Sequence, residues 1–273
     1  GVFAAWVALS QEQDLYGIAG AAAALMALSF YDDIKDLPAG LRLAIHILIV
    51  AAFFVFGFDD LPVTMLIIVV FAAVWMINLY NFMDGSDGLA GGMAVIGFGF
   101  YAFTLREQVP YGWASAAVAM ASLGFLIFNF HPAKIFLGDS GSIPLGFLAA
   151  AFGYIGWTKN SWPWWYPVLV FSPFIVDASL TLAKRALRRE RIWEAHRDHY
   201  YQRLIRMGWG HRKTALAEYG LMLTVGGLAT LVLDKSAHMQ TAFLMLATIL
   251  YIGVALLIDF KWSRHAAENR NPE

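Results

Sequence analysis

The stretch NFHPAKIFLGDSGS, residues 129–142, places a lysine, an aspartate and several glycine and serine residues between two strongly apolar segments. These segments cover residues 111–130 and 143–158. Each is close to the roughly 20 residues that a helix needs to cross a bilayer. The stretch therefore predicts a bundle of membrane helices with a polar site at one end.

The composition supports a membrane protein. Of the 273 residues, 59% are hydrophobic and 14% are charged, and the mean hydropathy is +0.59. Soluble domains rarely have this balance, which multi-span membrane proteins require. The chain has no cysteine, which excludes a disulfide scaffold, a thiolate metal site and a cysteine nucleophile.

We predict an all-α polytopic helix bundle that forms a single integral membrane domain over residues 1–273. Residues 1–9 are an apolar stub that is too short to span a bilayer. About nine transmembrane helices are predicted, at residues 15–31, 41–58, 61–80, 89–105, 111–130, 143–158, 163–183, 215–233 and 240–260.

Charge orients these helices. All but three of the 19 basic residues lie in alternate connections or in the tail, residues 261–273. The positive-inside rule places this face in the cytoplasm together with the C-terminus. The candidate catalytic loops on this face are residues 31–42, 78–92, 129–142 and 184–214.

Three motifs of acids and glycines share this face. Oxygen ligands at this density suit Mg²⁺, which usually takes one or two carboxylates plus substrate phosphates. Phosphoryl transfer is then the natural reaction class, because a metal ion and basic side chains neutralise charge while the protein positions the reactants. The polar residues of the motifs are Asp32 and Asp33, then Asn78, Asn81, Asp84 and Asp87, and finally Asp139.

The middle motif steps by three residues, so its side chains converge only if the helix tightens or unwinds. Gly85 and Gly88 permit such a break. In the last motif, Ser140 or Ser142 is predicted to cap the following helix.

The motifs SFYDDIKDLPAGLRL (29–43), NLYNFMDGSDGLAGG (78–92) and NFHPAKIFLGDSGSIPLGF (129–147) resemble those of the polyprenyl-phosphate N-acetylhexosamine-1-phosphate transferases. This family includes the pentapeptide-transferase of peptidoglycan synthesis. The resemblance covers essentially the whole chain. Gly1 aligns just after a glycine-rich stretch, which implies that the family's first membrane helix and the following loop are missing.

The resemblance implies that undecaprenyl phosphate attacks the β-phosphorus of a UDP-N-acetylamino sugar and releases UMP. It implies Mg²⁺ as cofactor, with Mn²⁺ as an alternative, and a place in the bacterial cytoplasmic (inner) membrane. The lipid bilayer is the expected surrounding, nucleic acid is not an expected partner, and a homodimer is possible. Direct attack is favoured over a covalent aspartyl intermediate, since a phosphate monoester is already a competent nucleophile.

The resemblance also implies roles for single residues. Asp139 and Asp87 match metal ligands, Asp84 and Asp87 line the nucleotide and metal site, and Asp32 and Asp33 handle the lipid phosphate as base or organiser. Lys35, Arg42 and Lys134 either contact phosphate or only anchor the chain at the membrane face. The full set of predicted substrate-binding residues is Asn78, Asn81, Lys35, Arg42, Lys134, His196, Arg197 and His199.

The long polar loop contains EAHRDHYYQRLIRMGWGHRK, residues 194–213. His196 and His199 are spaced to share a helix face, and by resemblance they contact the diphosphate or sugar. Their departure from the family's adjacent histidines suggests the branch that initiates lipopolysaccharide O-antigen. The arginines have the alternative of binding anionic lipid. Asp177, inside an apolar helix, is predicted to serve the site or the packing near its cytoplasmic end.

Two other functions stay open at this point. DDIKD, residues 32–36, also matches the DDxxD motif of intramembrane prenyltransferases, although those enzymes should carry a second such motif. A transporter should place charged residues near the bilayer midplane in broken helices, whereas here they gather at one face.

Overall fold

The computed structural model describes Trp6 and residues 13–58, 61–191 and 196–268. In these residues all regular secondary structure is helical. The segment Ile205–Trp209, which is kinked at Gly208 (φ 91°), joins the helices Tyr200–Leu204 and Gly210–Leu231. The helices are α1 (Gln13–Lys35), α2 (Ala39–Gly57), α3 (Val63–Met83), α4 (Leu89–Thr104), α5 (Val109–Asn129), α6 (Asp139–Thr158), α7 (Trp165–Val170), α8 (Ser172–Leu187), α9 (Tyr200–Leu204), α10 (Gly210–Leu231) and α11 (Ala237–Glu268).

The predicted fold class, a polytopic bundle of membrane helices, is confirmed. In the described part of the chain, six helical stretches are long and apolar enough to cross a membrane: α1, α2, α3, α5, the stretch from α9 to α10 with its kink at Gly208, and α11. The count of nine crossings stays a prediction. Apart from Trp6, the stub at residues 1–9 lies outside the described residues.

The segment predicted as one helix at 163–183 is two helices, α7 and α8, that meet at Phe171. Pro173 lies in the first turn of α8, where its missing N–H costs little and favours a helix start. The Phe171 ring is 1% exposed and packs edge to face against Tyr80, Phe98 and Tyr101. The break between the two helices therefore lies where the Phe171 side chain packs into the core.

Helices α3 and α6 pack closely, and this contact positions the site. A Cβ atom added to Gly146 of α6 would lie 2.7 Å from the Cα atom of Ile77 in α3. In a membrane bundle, such small residues let helix backbones approach each other. Because the two helices touch here, the C-terminal end of α3 and the N-terminal end of α6 lie side by side.

Contacts between connections define two ends of the bundle. At one end, Asp14 accepts a hydrogen bond from the Tyr111 hydroxyl at 2.7 Å, and Lys159 Nζ lies 3.9 Å from the same carboxylate. The start of α1, the start of α5 and the end of α6 therefore share this end. The three acidic motifs meet at the opposite end, as predicted; its assignment to the cytoplasm stays a prediction.

Candidate active site

Asn81, in the last turn of α3, holds the third acidic motif against the second. Its side-chain amide donates to Asp139 Oδ1 at 2.7 Å and to Ser142 Oγ at 3.1 Å. The predicted serine cap of α6 is wrong, since Gly138 is the N-cap residue and makes no side-chain cap. Gly138 has a φ of 63°, a left-handed conformation that favours glycine, so α6 begins at Asp139 and the serines lie inside its first turn.

Arg42 links the first acidic motif to the third. Its Nη1 atom lies 2.6 Å from Asp32 Oδ2 and 3.5 Å from Asp139 Oδ2. Asp32 is 8% exposed, and its other oxygen accepts the backbone N–H of Leu37 at 2.7 Å. One guanidinium therefore joins acids that are far apart in the sequence, and 36% of the Arg42 side chain is still exposed.

The second motif breaks the helix, as predicted. Helix α3 ends at Met83, Gly88 has a φ of 76°, and α4 begins at the next residue. Asn78 does not join the cluster, because its side chain donates to Val74 O within α3 at 2.7 Å.

Asp84 lies directly after α3 and is partly buried. Burial, together with the nearby Asp139 carboxylate, raises the pKa of Asp84 to about 7, although a hydrogen bond from the Gly138 backbone opposes the shift. Near neutral pH this carboxyl is therefore divided between its neutral and ionised forms. A cation placed between Asp84 and Asp139 would favour the ionised form of Asp84.

The donor set fits an open Mg²⁺ site. Asp84 and Asp139 supply two carboxylates, and substrate phosphates normally supply much of the remaining coordination of Mg²⁺. Among the residues that the structure describes, no group of three or more histidines and acids forms a closed metal cage. The arrangement suits an ion that arrives with, or is completed by, a phosphorylated substrate.

Asp87, the other predicted metal ligand, belongs to a neighbouring cluster. Its Oδ2 atom lies 2.7 Å from His131 Nδ1 and accepts the Ala133 N–H at 3.1 Å. Burial alone would raise the pKa of Asp87, but these two hydrogen bonds, together with the nearby His211 and His131 rings, outweigh it and lower the pKa. Asp87 is thus ionised and held by His131, a residue absent from the predicted set although it lies within 129–142.

His211 completes this cluster. Its ring stacks on His131 with 5.6 Å between centroids, and its Nδ1 atom lies 3.0 Å from Ser86 Oγ. The start of α10 therefore reaches the second acidic motif. The only sequence signal for His211 was its place in the basic loop.

The two predicted loop histidines are neighbours, but not on a helix. The His196 and His199 rings are 4.8 Å apart, residues 196–198 are irregular, and α9 begins after His199. The prediction that the two histidines share a helix face is wrong. Asp177 accepts the backbone N–H groups of Tyr200 and Tyr201, each at 2.8 Å, and the helix therefore starts at Tyr200, after both histidines. Asp177 also lies 3.2 Å from His199 Nδ1, so it organises this loop.

The loop histidines lie against the end of α3. The His199 ring stacks on Phe82 with 5.8 Å between centroids, and the Tyr201 hydroxyl donates to Phe82 O at 3.2 Å. Burial lowers the pKa of His196, as do the nearby His199 and Arg185. A His196 that stays neutral can offer both a donor and an acceptor to a substrate.

Four other predicted residues lie at the rim of this end. The side chains of Asp33, Lys35, Lys134 and Arg197 are exposed. Among the described residues, the side chains of these four make no hydrogen bond or ion pair, although the backbone of Lys134 donates to Phe128 O and that of Arg197 accepts from Arg206. Residues 192–195 of the predicted loop 184–214 lie outside the described part of the chain.

Comparison with known proteins gives one family. The profile of glycosyl transferase family 4 matches residues 15–156. A probable undecaprenyl-phosphate N-acetylglucosaminyl 1-phosphate transferase of Bacillus subtilis is 30% identical over 205 residues, which is 74% of this chain and 56% of the relative. A phospho-N-acetylmuramoyl-pentapeptide-transferase of Bacillus pumilus is 36% identical over 176 residues, 62% of this chain and 52% of that protein.

A third relative is the decaprenyl-phosphate N-acetylglucosaminephosphotransferase of Mycobacterium tuberculosis, which is 32% identical over 212 residues, 68% of this chain and 51% of the relative. The chain thus spans about half the length of the relatives it matches. The matched residues 15–156 include all three acidic motifs and Arg42.

Proposed function

The chain belongs to glycosyl transferase family 4, and we propose that it transfers an N-acetylated amino sugar 1-phosphate from a UDP-sugar to undecaprenyl phosphate. A phosphate oxygen of the lipid forms a bond to the β-phosphorus of the nucleotide. The anhydride bond between the α- and β-phosphates breaks, and UMP leaves. The other product is an undecaprenyl-diphospho-sugar that starts a cell-envelope polysaccharide such as lipopolysaccharide O-antigen.

One observation carries this proposal: Arg42 joins Asp32 to Asp139, and Asn81 joins Asp139 to the end of α3. Three segments thus deliver carboxylates and a guanidinium to one point at the polar end of an apolar bundle. A lipid phosphate and a nucleotide diphosphate must meet at such a point. In this reaction the protein chiefly positions two anions and neutralises their charge.

We assign the lipid phosphate to Arg42, which can turn from its acid partners toward an arriving phosphate. Asp32 then orients Arg42, with the exposed Asp33 and Lys35 beside it. Asp84 and Asp139 would hold Mg²⁺ or Mn²⁺, which would supply charge neutralisation on the diphosphate. Because the lipid phosphate is already a nucleophile, no covalent enzyme intermediate is required.

An apolar groove offers room for the lipid chain. A cavity of about 580 Å³ lies between α3, α6, α7 and α8 and reaches Leu79, two residues before Asn81. Its walls include the exposed Phe71 and Val168, so it opens at the bundle surface that faces lipid. A polyprenyl chain lying in this groove would place its phosphate near the acids at the end of α3.

The nucleotide sugar is assigned to the opposite side of the acids. Asp87 with His131, and the pair His196 and His199, flank the second motif, and Lys134 and Arg197 lie at the rim. The excess of basic residues at this end supports a cytoplasmic active site in a bacterial inner membrane, with the C-terminus on the same side. Cytoplasmic nucleotide sugars would then reach the site directly.

The experiment is release of radiolabelled UMP from a panel of UDP-N-acetylamino sugars by the purified protein in detergent. Undecaprenyl phosphate and Mg²⁺ are each omitted in turn, and Asp139→Asn is the matched variant. We expect UMP release only when both are present and only from the wild type. UMP release without undecaprenyl phosphate, or UMP release by Asp139→Asn, would contradict the proposal.

A further inference from the structure

Helix α11 lies outside the residues that the family profile matches, and the predicted site residues are all in other segments. It nevertheless reaches the active-site end of the bundle. Asp259 lies 22 residues after the first residue of α11, Ala237, which is about 33 Å along a helix. That distance exceeds the hydrocarbon thickness of a bilayer, so Asp259 stands at the polar end rather than in the apolar interior.

Asp259 gathers three donors from two other helices. Its Oδ1 atom accepts from Arg203 Nη1 at 2.9 Å. Its Oδ2 atom accepts from Lys184 Nζ and, at 3.3 Å, from the Tyr200 hydroxyl. The side chain of Arg203 is 5% exposed, so its charge is largely removed from water and depends on this carboxylate. Asp259 is therefore a carboxylate that pairs with both cations between α8, α9 and α11.

These contacts hold the short helix that follows the loop histidines. Helix α9 has five residues and is separated from α10 by a kink at Gly208, whose φ is 91°, so it is too short to be stable without tertiary contacts. Asp177 binds its first backbone N–H groups, and Asp259 binds the side chains of Tyr200 and Arg203. The carboxylates of α8 and α11 thus fix both the start of α9 and its side chains.

The position of α9 in turn sets the position of the site. His199 directly precedes α9, and Tyr201 of α9 donates to Phe82 O at the end of α3. A shift of α9 would therefore move His196 and His199 relative to Asp84. We propose that Asp259 is a positioning residue that holds α9, and through it the two loop histidines, against the second acidic motif.

The kinetic part of this inference rests on the proposed function. The Asp259→Asn variant replaces the carboxylate with a neutral amide of nearly the same size. We expect the KM for the UDP-sugar to rise about tenfold, with the KM for undecaprenyl phosphate unchanged, because only the histidine side of the site shifts. Asp259→Glu, which keeps the charge, should recover most of the loss. Asp14→Asn, an acid paired at the opposite end of the bundle, is the matched control and should change neither KM.

A second measurement needs no catalysis. Arg197 is exposed and lies three positions before the first residue of α9, Tyr200, so the rate of tryptic cleavage after Arg197, followed by mass spectrometry, reports how firmly α9 is held. Cleavage should be about tenfold faster in Asp259→Asn than in wild type or Asp14→Asn. If Asp259→Asn does not insert, Tyr200→Phe removes one hydroxyl from the same cluster and should give a change of about twofold.

The outcomes separate the two proposals. An unchanged cleavage rate in Asp259→Asn would overturn the tie between α11 and α9. Faster cleavage with an unchanged KM for the UDP-sugar, or an equal rise in both KM values, would overturn the positioning role. A wild type that turns over no nucleotide sugar would count against the proposed function, and the cleavage rates would still decide whether Asp259 holds α9.

Discussion

Asn81 and Asp139, which are 58 positions apart in the sequence, are joined by a hydrogen bond of 2.7 Å from the amide to the carboxylate. This bond fixes the side chain of Asp139 at the start of α6 against the end of α3. It leaves the second carboxylate oxygen facing Arg42. The orientation of the acid that we assign to the metal thus depends on a neutral side chain.

Replacement of Asn81 tests this dependence. Asn81→Ala should lower kcat by a factor on the order of ten to a hundred, because Asp139 would lose its orientation. Asn78→Ala is the matched control one turn earlier on the same helix; its amide donates to Val74 O within that helix, so activity should stay near that of the wild type. Equal losses in the two variants would contradict the account.

Asp32 and Asp33 should differ in their effect on stability. Asp32 is 8% exposed and accepts from both Arg42 and Leu37 N, whereas Asp33 is exposed. Asp32→Ala should therefore lower the free energy of unfolding by about 1 to 3 kcal/mol. Asp33→Ala should change it by less than about 0.5 kcal/mol. Denaturant titration of both variants in detergent checks this, and a larger loss in Asp33→Ala would reverse our assignment of their surroundings.

Gly85 makes room for Tyr201. A Cβ atom at position 85 would lie 2.2 Å from the Tyr201 hydroxyl oxygen but 3.4 Å from its ring carbon Cζ, and Gly85 is not at a positive φ. Gly85→Ala should therefore displace α9 and reduce activity about tenfold or more. The double variant Gly85→Ala/Tyr201→Phe should recover most of that activity, because the clashing oxygen is gone. Tyr201→Phe alone, which loses the bond to Phe82 O, is the control. A double variant as inactive as Gly85→Ala would show that the clash is not the cause.

Asp84 gives the metal-free protein a pH-dependent stability. Its pKa in the folded protein is about 7, above the value near 3.9 of an unfolded chain. The folded state therefore favours the protonated carboxyl, and its stabilisation is lost as the pH rises through about 7. With EDTA present, the Tm of the wild type should fall relative to Asp84→Asn between about pH 4 and about pH 7 and should level off at higher pH. Added Mg²⁺ should reduce this fall, since a cation favours the ionised form. A Tm difference that does not change with pH would contradict the assignment.

The fold was readable from the sequence because its apolar segments are long and bounded by polar motifs. The sequence did not predict the break at Phe171, since Ser172 and Pro173 interrupt the mostly apolar segment 163–183 too briefly to divide its hydropathy. Hydropathy also does not determine the number of membrane crossings. Helices α4 and α6 pack in the bundle, but neither is among the six helical stretches in the described chain that are both long and apolar enough to cross.

In the site, the acids were predictable from their motifs, but their partners were not. Arg42 was an ambiguous cation in the sequence, and only the packing of α1, α2 and α6 shows that it lies between two acids. His131 and Asp259 carry no local signal, because their roles arise from contacts to residues 44 and 56 positions away, respectively. Membership of the family removes the support for the prenyltransferase and transporter alternatives, which rested on DDIKD alone or on general features of membrane proteins.

The central claim is that the sugar 1-phosphate is transferred from the nucleotide to the lipid phosphate at the cluster of Asp32, Arg42 and Asp139. The most direct test supplies UDP-N-acetylglucosamine labelled with ³²P at the β-phosphorus, together with undecaprenyl phosphate and Mg²⁺, and measures where the label goes. Our account predicts that the label enters the organic-extractable lipid while unlabelled UMP is released, and that Asp139→Asn abolishes both. Label that stays entirely in water-soluble products, despite turnover of the nucleotide sugar, would contradict it.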